Sequence, residues 1–341
     1  MPPAPDRIIS LALSDRKRAI STLYLPRRAA WRERVEMIDP EAISRRKTMR
    51  WLLTQSKGRD AVILNGSGSP VGELAAGALI SRRRRPPAIV VADCVWGART
   101  RADRIGSRLA LRLLDGAHVH YCVHSHAQRE RFPELWGVAL ERVHVARYYY
   151  TLSEQELALP CERNGSVFAG GDSHRDYDPL IEAARRIEAP VVLATGRLSA
   201  HQLDRLPQNV RAGRVAHEEF VAMMRSSRVV VVPLEHRDDR SAGEQTYLNA
   251  MAIGKPVIVV DSLGVREYVS DRETGLVVPP HDPDALAAAL AWTLDPANEQ
   301  DVARMTERAR EVALTRFGPD HYVAGLLHVL DEALTRSPSP L

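Results

Sequence analysis

At 341 residues the chain has room for two domains of ordinary size, and 45% apolar with 26% charged residues is the balance of a soluble globular protein. The formal net charge of +4 is small for this length and gives no sign of a nucleic-acid partner, and the basic residues are almost all arginine. Three scattered cysteines, Cys94, Cys122 and Cys161, form neither a disulfide framework nor a metal spacing, so a reducing cytoplasm is the expected compartment. The run Ile8 to Leu13, broken by Ser10, is too short for a secretory core, and no stretch approaches the ~20 apolar residues of a membrane span.

Residues 1–58 give little periodicity. Arg27-Arg28, Arg32 and Arg45-Arg46-Lys47 make the segment basic, and Ser44 to Gln55 reads as a helix. Asp60 to Leu64 is a short buried strand entering Asn65-Gly66-Ser67-Gly68-Ser69-Pro70; a Gly-rich loop after a strand, here with Gly66 and Ser67, is a weak phosphate or sugar signal, or simply a turn. The missing Gly-Lys-Ser/Thr excludes a P-loop. Val71 to Ser81 reads as a helix of small residues followed by Arg82 to Arg85, cations that complement the helix dipole or meet an anionic membrane weakly. Pro87 to Ala92 is the next buried strand and delivers Asp93 at its carboxyl end. A carboxylate there either faces a cleft or caps the following turn. Trp96 either stacks on a sugar or packs. Arg101 to Leu114 is helical by period, with Ile105, Leu109 and Leu113 on one stripe. His118 to Val123 is a strand, and Ser125 is a helix cap before a helix reaching about Phe132, with Pro133 intervening. His118, His120, His124 and His126 alternate, but lack the acidic partners of a zinc site, so no metal is expected. Val143 to Tyr150 is a strand candidate and Thr151 to Asn164 has the composition of an interdomain linker.

The second half is more regular. Ser166 to Ala169 is a strand running into Gly170-Gly171-Asp172-Ser173-His174-Arg175. Two glycines and an arginine at a strand-to-helix turn suit a diphosphate, through close backbone approach and a planar bidentate cation. Arg175 either takes that role or pairs with Asp176 or Asp178. Val191 to Ala194 leads to Thr195-Gly196-Arg197, and Val210 to Val215 is a further strand before the helix His217 to Ser226. The stretch Arg228 to Pro280 is the organising unit. A strand, Val229 to Val232, leads through Ser241-Ala242-Gly243 into a helix, Glu244 to Ile253. Gly254-Lys255-Pro256 stops that helix, and a second strand follows to Val260. Small residues at 241–243 let backbone N–H groups approach an anion at a helix N-terminus. Helices Asp282 to Leu294, Glu299 to Phe317 and Tyr322 to Thr335 complete the chain.

The run Ala242-Gly243-Glu244-Gln245-Thr246, then Asn249-Ala250-Met251-Ala252-Ile253-Gly254-Lys255-Pro256-Val257-Ile258, resembles the donor-site signature of GT-B glycosyltransferases of the retaining family 4 (group 1) type. Thr274-Gly275-Leu276-Val277-Val278-Pro279-Pro280 and Asp282-Pro283-Asp284-Ala285-Leu286 are similar to the segment that follows in that family. The resemblance covers about Val167 to Leu290. It implies an α/β fold of two Rossmann-like parallel-sheet domains facing across a cleft: residues 1–157 on the acceptor side, 158–317 binding the nucleotide sugar, and 318–341 as a helix crossing back to the first domain plus a tail.

By the same resemblance the activity is metal-independent transfer of a sugar, with retention, from a nucleotide-diphosphate sugar to a glycan, lipid-linked or small-molecule acceptor, with no cofactor. Donor-binding residues would be Gly170, Gly171, Arg175, Gly196 (towards the base), Ser241, Ala242, Gly243, Glu244, Gln245, Thr246 and Asn249 (towards the ribose), with Asp93 catalytic. The family's two glutamates, eight positions apart, are Ser241 and Asn249 here. That departure keeps two alternatives open: a catalytically silent GT-B-like partner subunit, and a nucleotide-sugar epimerase on the same fold.

Overall fold

Unbroken β-branched runs such as Val229–Val232 and Val257–Val260, buried at every position, can only be central strands of a sheet covered on both faces. In the computed structural model, which describes residues 19–38, 45–67, 71–97, 101–161 and 165–336, such runs form two six-stranded parallel sheets. The first contains β1 (Ala19–Ser21), β2 (Val35–Met37), β3 (Ala61–Asn65), β4 (Ala88–Ala92), β5 (Val119–Val123) and β6 (Val143–Val145), in the order β2-β1-β3-β4-β5-β6. The second contains β7 (Val167–Gly170), β8 (Val191–Ala194), β9 (Val210–Gly213), β10 (Val229–Val232), β11 (Val257–Val260) and β12 (Leu276–Val278), in the order β12-β11-β10-β7-β8-β9. The strand order of the second sheet reverses between β7 and β10, which opens a crevice beyond their carboxyl ends.

The period of two sorts the first sheet's side chains into two layers. Val62, Leu64, Ile89, Val91, Val119 and Tyr121 pack with Leu52, Ile80 and Phe132 on one face. Ala61, Ile63, Ala88, Val90 and Cys122 meet Tyr322, Leu326, Val329 and Leu330 of the last helix, Pro319–Arg336, on the other. Small side chains at 61, 88 and 122 leave the room that this crossing helix fills, so the chain's end returns to its first domain.

Several expectations need correction. The basic N-terminal segment contributes β1 and β2, which with three residues each are too short to show a period. The sixth strand stops at Val145, because Tyr148 donates its N–H to the Tyr268 hydroxyl at 2.9 Å, away from the sheet. The helix beginning at His126 runs through Pro133 to Trp136 and ends where left-handed Gly137 donates to Pro133 O. The linker carries a short helix, Glu154–Ala158, closed by a Ser153–Glu156 capping box. Ile105, Leu109 and Leu113 do share a stripe, but it faces solvent, at 60%, 60% and 51% exposure. The calls on Ile8 to Leu13, on the loop tip 68–70, on linker residues 162–164 and on the tail 337–341 lie outside the described residues.

Candidate active site between the two sheets

The loops after β7 and β10 meet at the switch point. Arg175 and Leu234 form an isolated antiparallel bridge between them, so the two anion-seeking stretches are joined by backbone. A cavity of about 550 Å³ opens here, lined from the second sheet's side by Gly171–Arg175 and Arg240–Thr246, and from the first by Ser67, Asp93, His124 and Tyr148. Gly171, at φ 115°, carries the turn under Arg175, and a Cβ there would lie 3.1 Å from its guanidinium. Gly243, at φ 84°, is the N-cap of the helix Glu244–Ala252, whose first N–H groups have no side-chain cap.

Two guanidiniums face this space. Arg175 donates to Gly170 O at 3.3 Å, Ser173 O at 2.8 Å and Thr246 Oγ1 at 2.9 Å, all uncharged acceptors. Arg240 donates to Ser241 O, at 3.4 Å. Neither forms an ion pair among the described residues, and burial lowers both pKa values without threatening the charge. Asp176 instead contacts His281 at 3.2 Å, so the alternative pairing of Arg175 with Asp176 is not what forms.

The opposite end is built differently. Asp93, at φ 51°, lines the cavity; its Oδ1 accepts from His124 Nε2 at 2.9 Å and from the Tyr322 hydroxyl at 2.6 Å. On the other side of the same imidazole, His124 Nδ1 lies 3.5 Å from Glu244 Oε1. Burial opposes the imidazolium, but hydrogen bonding and the two carboxylates outweigh it and lift the His124 pKa from 6.5 to about 9. A protonated histidine thus sits between a carboxylate of each domain. A left-handed non-glycine residue stands at both ends of the cavity, Asp93 here and His174 (φ 54°) at the other, the kind of strained backbone that collects at functional sites.

Not every predicted residue reaches the cavity as expected. Ser241 lines it, but its hydroxyl is 2.8 Å from that of Ser125 across the domain boundary. Asn249 also lines it, yet its amide is held by Thr151, accepting from the backbone at 2.8 Å and donating to Oγ1 at 3.2 Å. Gln245 donates to the same hydroxyl at 3.1 Å. Ser67, Ala242, Gly243, Glu244 and Thr246 are lining residues. Gly170 is not: a Cβ there would strike Phe220, so its smallness serves packing. Gly196 lies off the cavity, its N–H bound to Asp172 Oδ1 at 3.0 Å. Gly66 presses against Ala92 O, and Trp96 donates to Gly66 O at 2.7 Å while packing with Phe132 and Trp136; both are structural. The histidines diverge, His118 towards Ser81 and His120 towards His144.

Residues 166–295 match the family described as glycosyl transferases group 1. The second half of this chain is similar to a group 1 glycosyltransferase domain. The D-inositol 3-phosphate glycosyltransferase of Xylanimonas cellulosilytica is 28% identical over 242 residues, covering 62% of this chain and 56% of that protein. D-rhamnosyltransferase WbpZ of Pseudomonas aeruginosa is 29% identical over 134 residues, 39% of this chain and 33% of the relative. The chain therefore spans about half the length, or less, of these curated relatives. Among solved structures, Anabaena HepE in complex with UDP superposes with a TM-score of 0.67 at 17% identity, covering 87% of this chain and 86% of that one. A glycosyltransferase from Rickettsia africae gives 0.64 at 13%, covering 93% and 90%. Both sheets, with their facing loops, thus share the GT-B architecture. Arg240 and Tyr322 escaped the sequence reading, and His124 entered it only as one of four alternating histidines. His124 follows the carboxyl end of β5 just as Asp93 follows β4, and Arg240 directly precedes Ser241. For Tyr322 no local signal exists.

Proposed function

We propose that this protein transfers a sugar from a nucleotide-diphosphate sugar to an acceptor hydroxyl, with retention of configuration and without a metal. The observation that carries the reading is a pair of guanidiniums, Arg175 and Arg240, without ion-pair partners among the described residues, beside an uncapped helix N-terminus at the switch point of a parallel sheet. In the transfer, the bond from sugar C1 to the diphosphate oxygen breaks and its electron pair leaves on the diphosphate. Arg175, Arg240 and the helix amides stabilise that charge. The acceptor oxygen bonds C1 as its proton passes to the departing diphosphate. The names of the relatives support sugar transfer, and HepE was crystallised with UDP and with UDP-glucose.

The reading extends to weak peripheral contact with an anionic membrane. The exposed side chains of Leu79, Ile105, Leu109 and Leu113 form an apolar surface, and Arg82 donates to Leu113 O at 3.2 Å at its border. Among the described residues no helix is long and apolar enough to cross a membrane. A cytoplasmic location fits this reading.

The test is a thermal-shift panel of nucleoside diphosphates and their sugars, followed by release of nucleoside diphosphate from whichever sugar binds. A shift that rises with ligand concentration, together with release, is expected. Binding with no release in the presence of any acceptor would turn the reading towards the silent subunit, and no binding would end it.

A further inference from the structure

Glu244 and His124 are 6% and 4% exposed, and both line the cavity. Glu244 Oε1 and His124 Nδ1 are buried and face each other at 3.5 Å, an ion-pair contact too long for a strong hydrogen bond, and no other described group satisfies either atom. Buried polar atoms rarely stay unsatisfied, and two of them side by side on a cavity wall define a demand that a ligand can meet. The His124 ring cannot turn away, because Nε2 is bound to Asp93, which Tyr322 also holds. Nearby side chains are already engaged: Ser241 with Ser125, and Gln245 and Asn249 with Thr151.

We propose that Glu244 and His124 form a hydroxyl-binding subsite, in which one sugar hydroxyl donates to Glu244 Oε1 and accepts from His124 Nδ1. The pairing selects the chemistry. A cation would be repelled by the imidazolium and an anion by the carboxylate, whereas a hydroxyl serves both at once. The subsite adjoins the phosphate end: Glu244 is the first residue of the helix whose Thr246 is held by Arg175, so the sugar of a bound nucleotide sugar would lie against it with its diphosphate on the guanidiniums. This inference rests on the nucleotide-sugar reading above.

Calorimetry tests it with UDP, GDP and ADP sugars, each set against its parent diphosphate, on the wild type and on Glu244→Gln. For the pair with the largest sugar contribution, the variant is expected to lose about ten- to a hundredfold of the preference for the sugar nucleotide, the worth of a hydrogen bond to a buried charge, while still binding the parent diphosphate. Deoxy-sugar analogues on the wild type need no variant, and removal of one hydroxyl should cost a comparable factor. A sugar preference unchanged in Glu244→Gln, a wild type with no sugar preference, or equal affinity for every deoxy analogue would each overturn the subsite. If the wild type binds no nucleotide at all, the nucleotide-sugar reading itself fails, a result distinct from those three.

Discussion

The two ends of the cavity are charged by opposite strategies. At the β7–β10 crevice, Arg175 and Arg240 form no ion pair among the described residues and rest on carbonyl and hydroxyl oxygens. Between the domains, Asp93 and Glu244 are packed on either side of His124, one imidazolium bridging two carboxylates. A cation outside an ion pair awaits an incoming anion, whereas a bridged cluster is stable as it stands and offers directional hydrogen bonds. The first arrangement is suited to a diphosphate and the second to neutral sugar hydroxyls.

If that contrast is right, substitutions at the two ends should separate stability from binding. The largest effect belongs to His124→Leu, which leaves two buried carboxylates facing each other without their cation. Removing one member of a buried charged cluster costs ~3–5 kcal/mol, read as a fall in denaturant midpoint; an unchanged midpoint would show that the imidazolium does not bridge the two carboxylates. Arg175→Ala should do the reverse, weakening nucleoside diphosphate binding by about 1.5–3 kcal/mol with a smaller fall in midpoint than His124→Leu, from its lost bonds to Gly170, Ser173 and Thr246. Survival of the nucleotide-induced thermal shift in that variant would remove Arg175 from the phosphate site. Tyr322→Phe deletes one donor to Asp93 and is expected to cost ~1–2 kcal/mol of stability, with diphosphate binding intact.

The pH dependence should follow His124. Its folded pKa, about 9, exceeds the ordinary 6.5, so the stability it contributes is complete below pH 6.5 and declines as pH rises through 9. Asp93 and Glu244 face the ring, and Tyr148 lies against it with ring centroids 4.8 Å apart. A melting-temperature profile from pH 6 to 10 that is identical in wild type and His124→Leu would contradict the assignment. The smallest effect is at the surface: Leu109→Glu should reduce co-sedimentation with anionic vesicles and leave nucleotide binding alone. Equal sedimentation of both proteins would exclude that stripe from membrane contact.

Much of this was legible in the sequence, for identifiable reasons. Val229–Val232, Val257–Val260 and Ala88–Ala92 are long enough and apolar enough to announce buried parallel strands, and their carboxyl ends pointed to Asp93 and to the loop at 241–243. β1 and β2 could not be read, since three residues carry no period. Side-chain commitments were equally hidden. Asn249 looked available for a ribose, but Thr151, 98 residues away, holds its amide. Tyr322 reaches Asp93 from 229 positions downstream, and nothing local to either residue marks that contact.

The return of the last helix sets an order on assembly. During synthesis the Ala61, Ala88 and Cys122 face of the first sheet must wait uncovered until residues 319–336 leave the ribosome, and Asp93 lacks one of its two anchors until then. A nascent chain halted before that helix would present an open apolar sheet face and a half-formed cavity wall, so premature termination late in translation should leave a chaperone client.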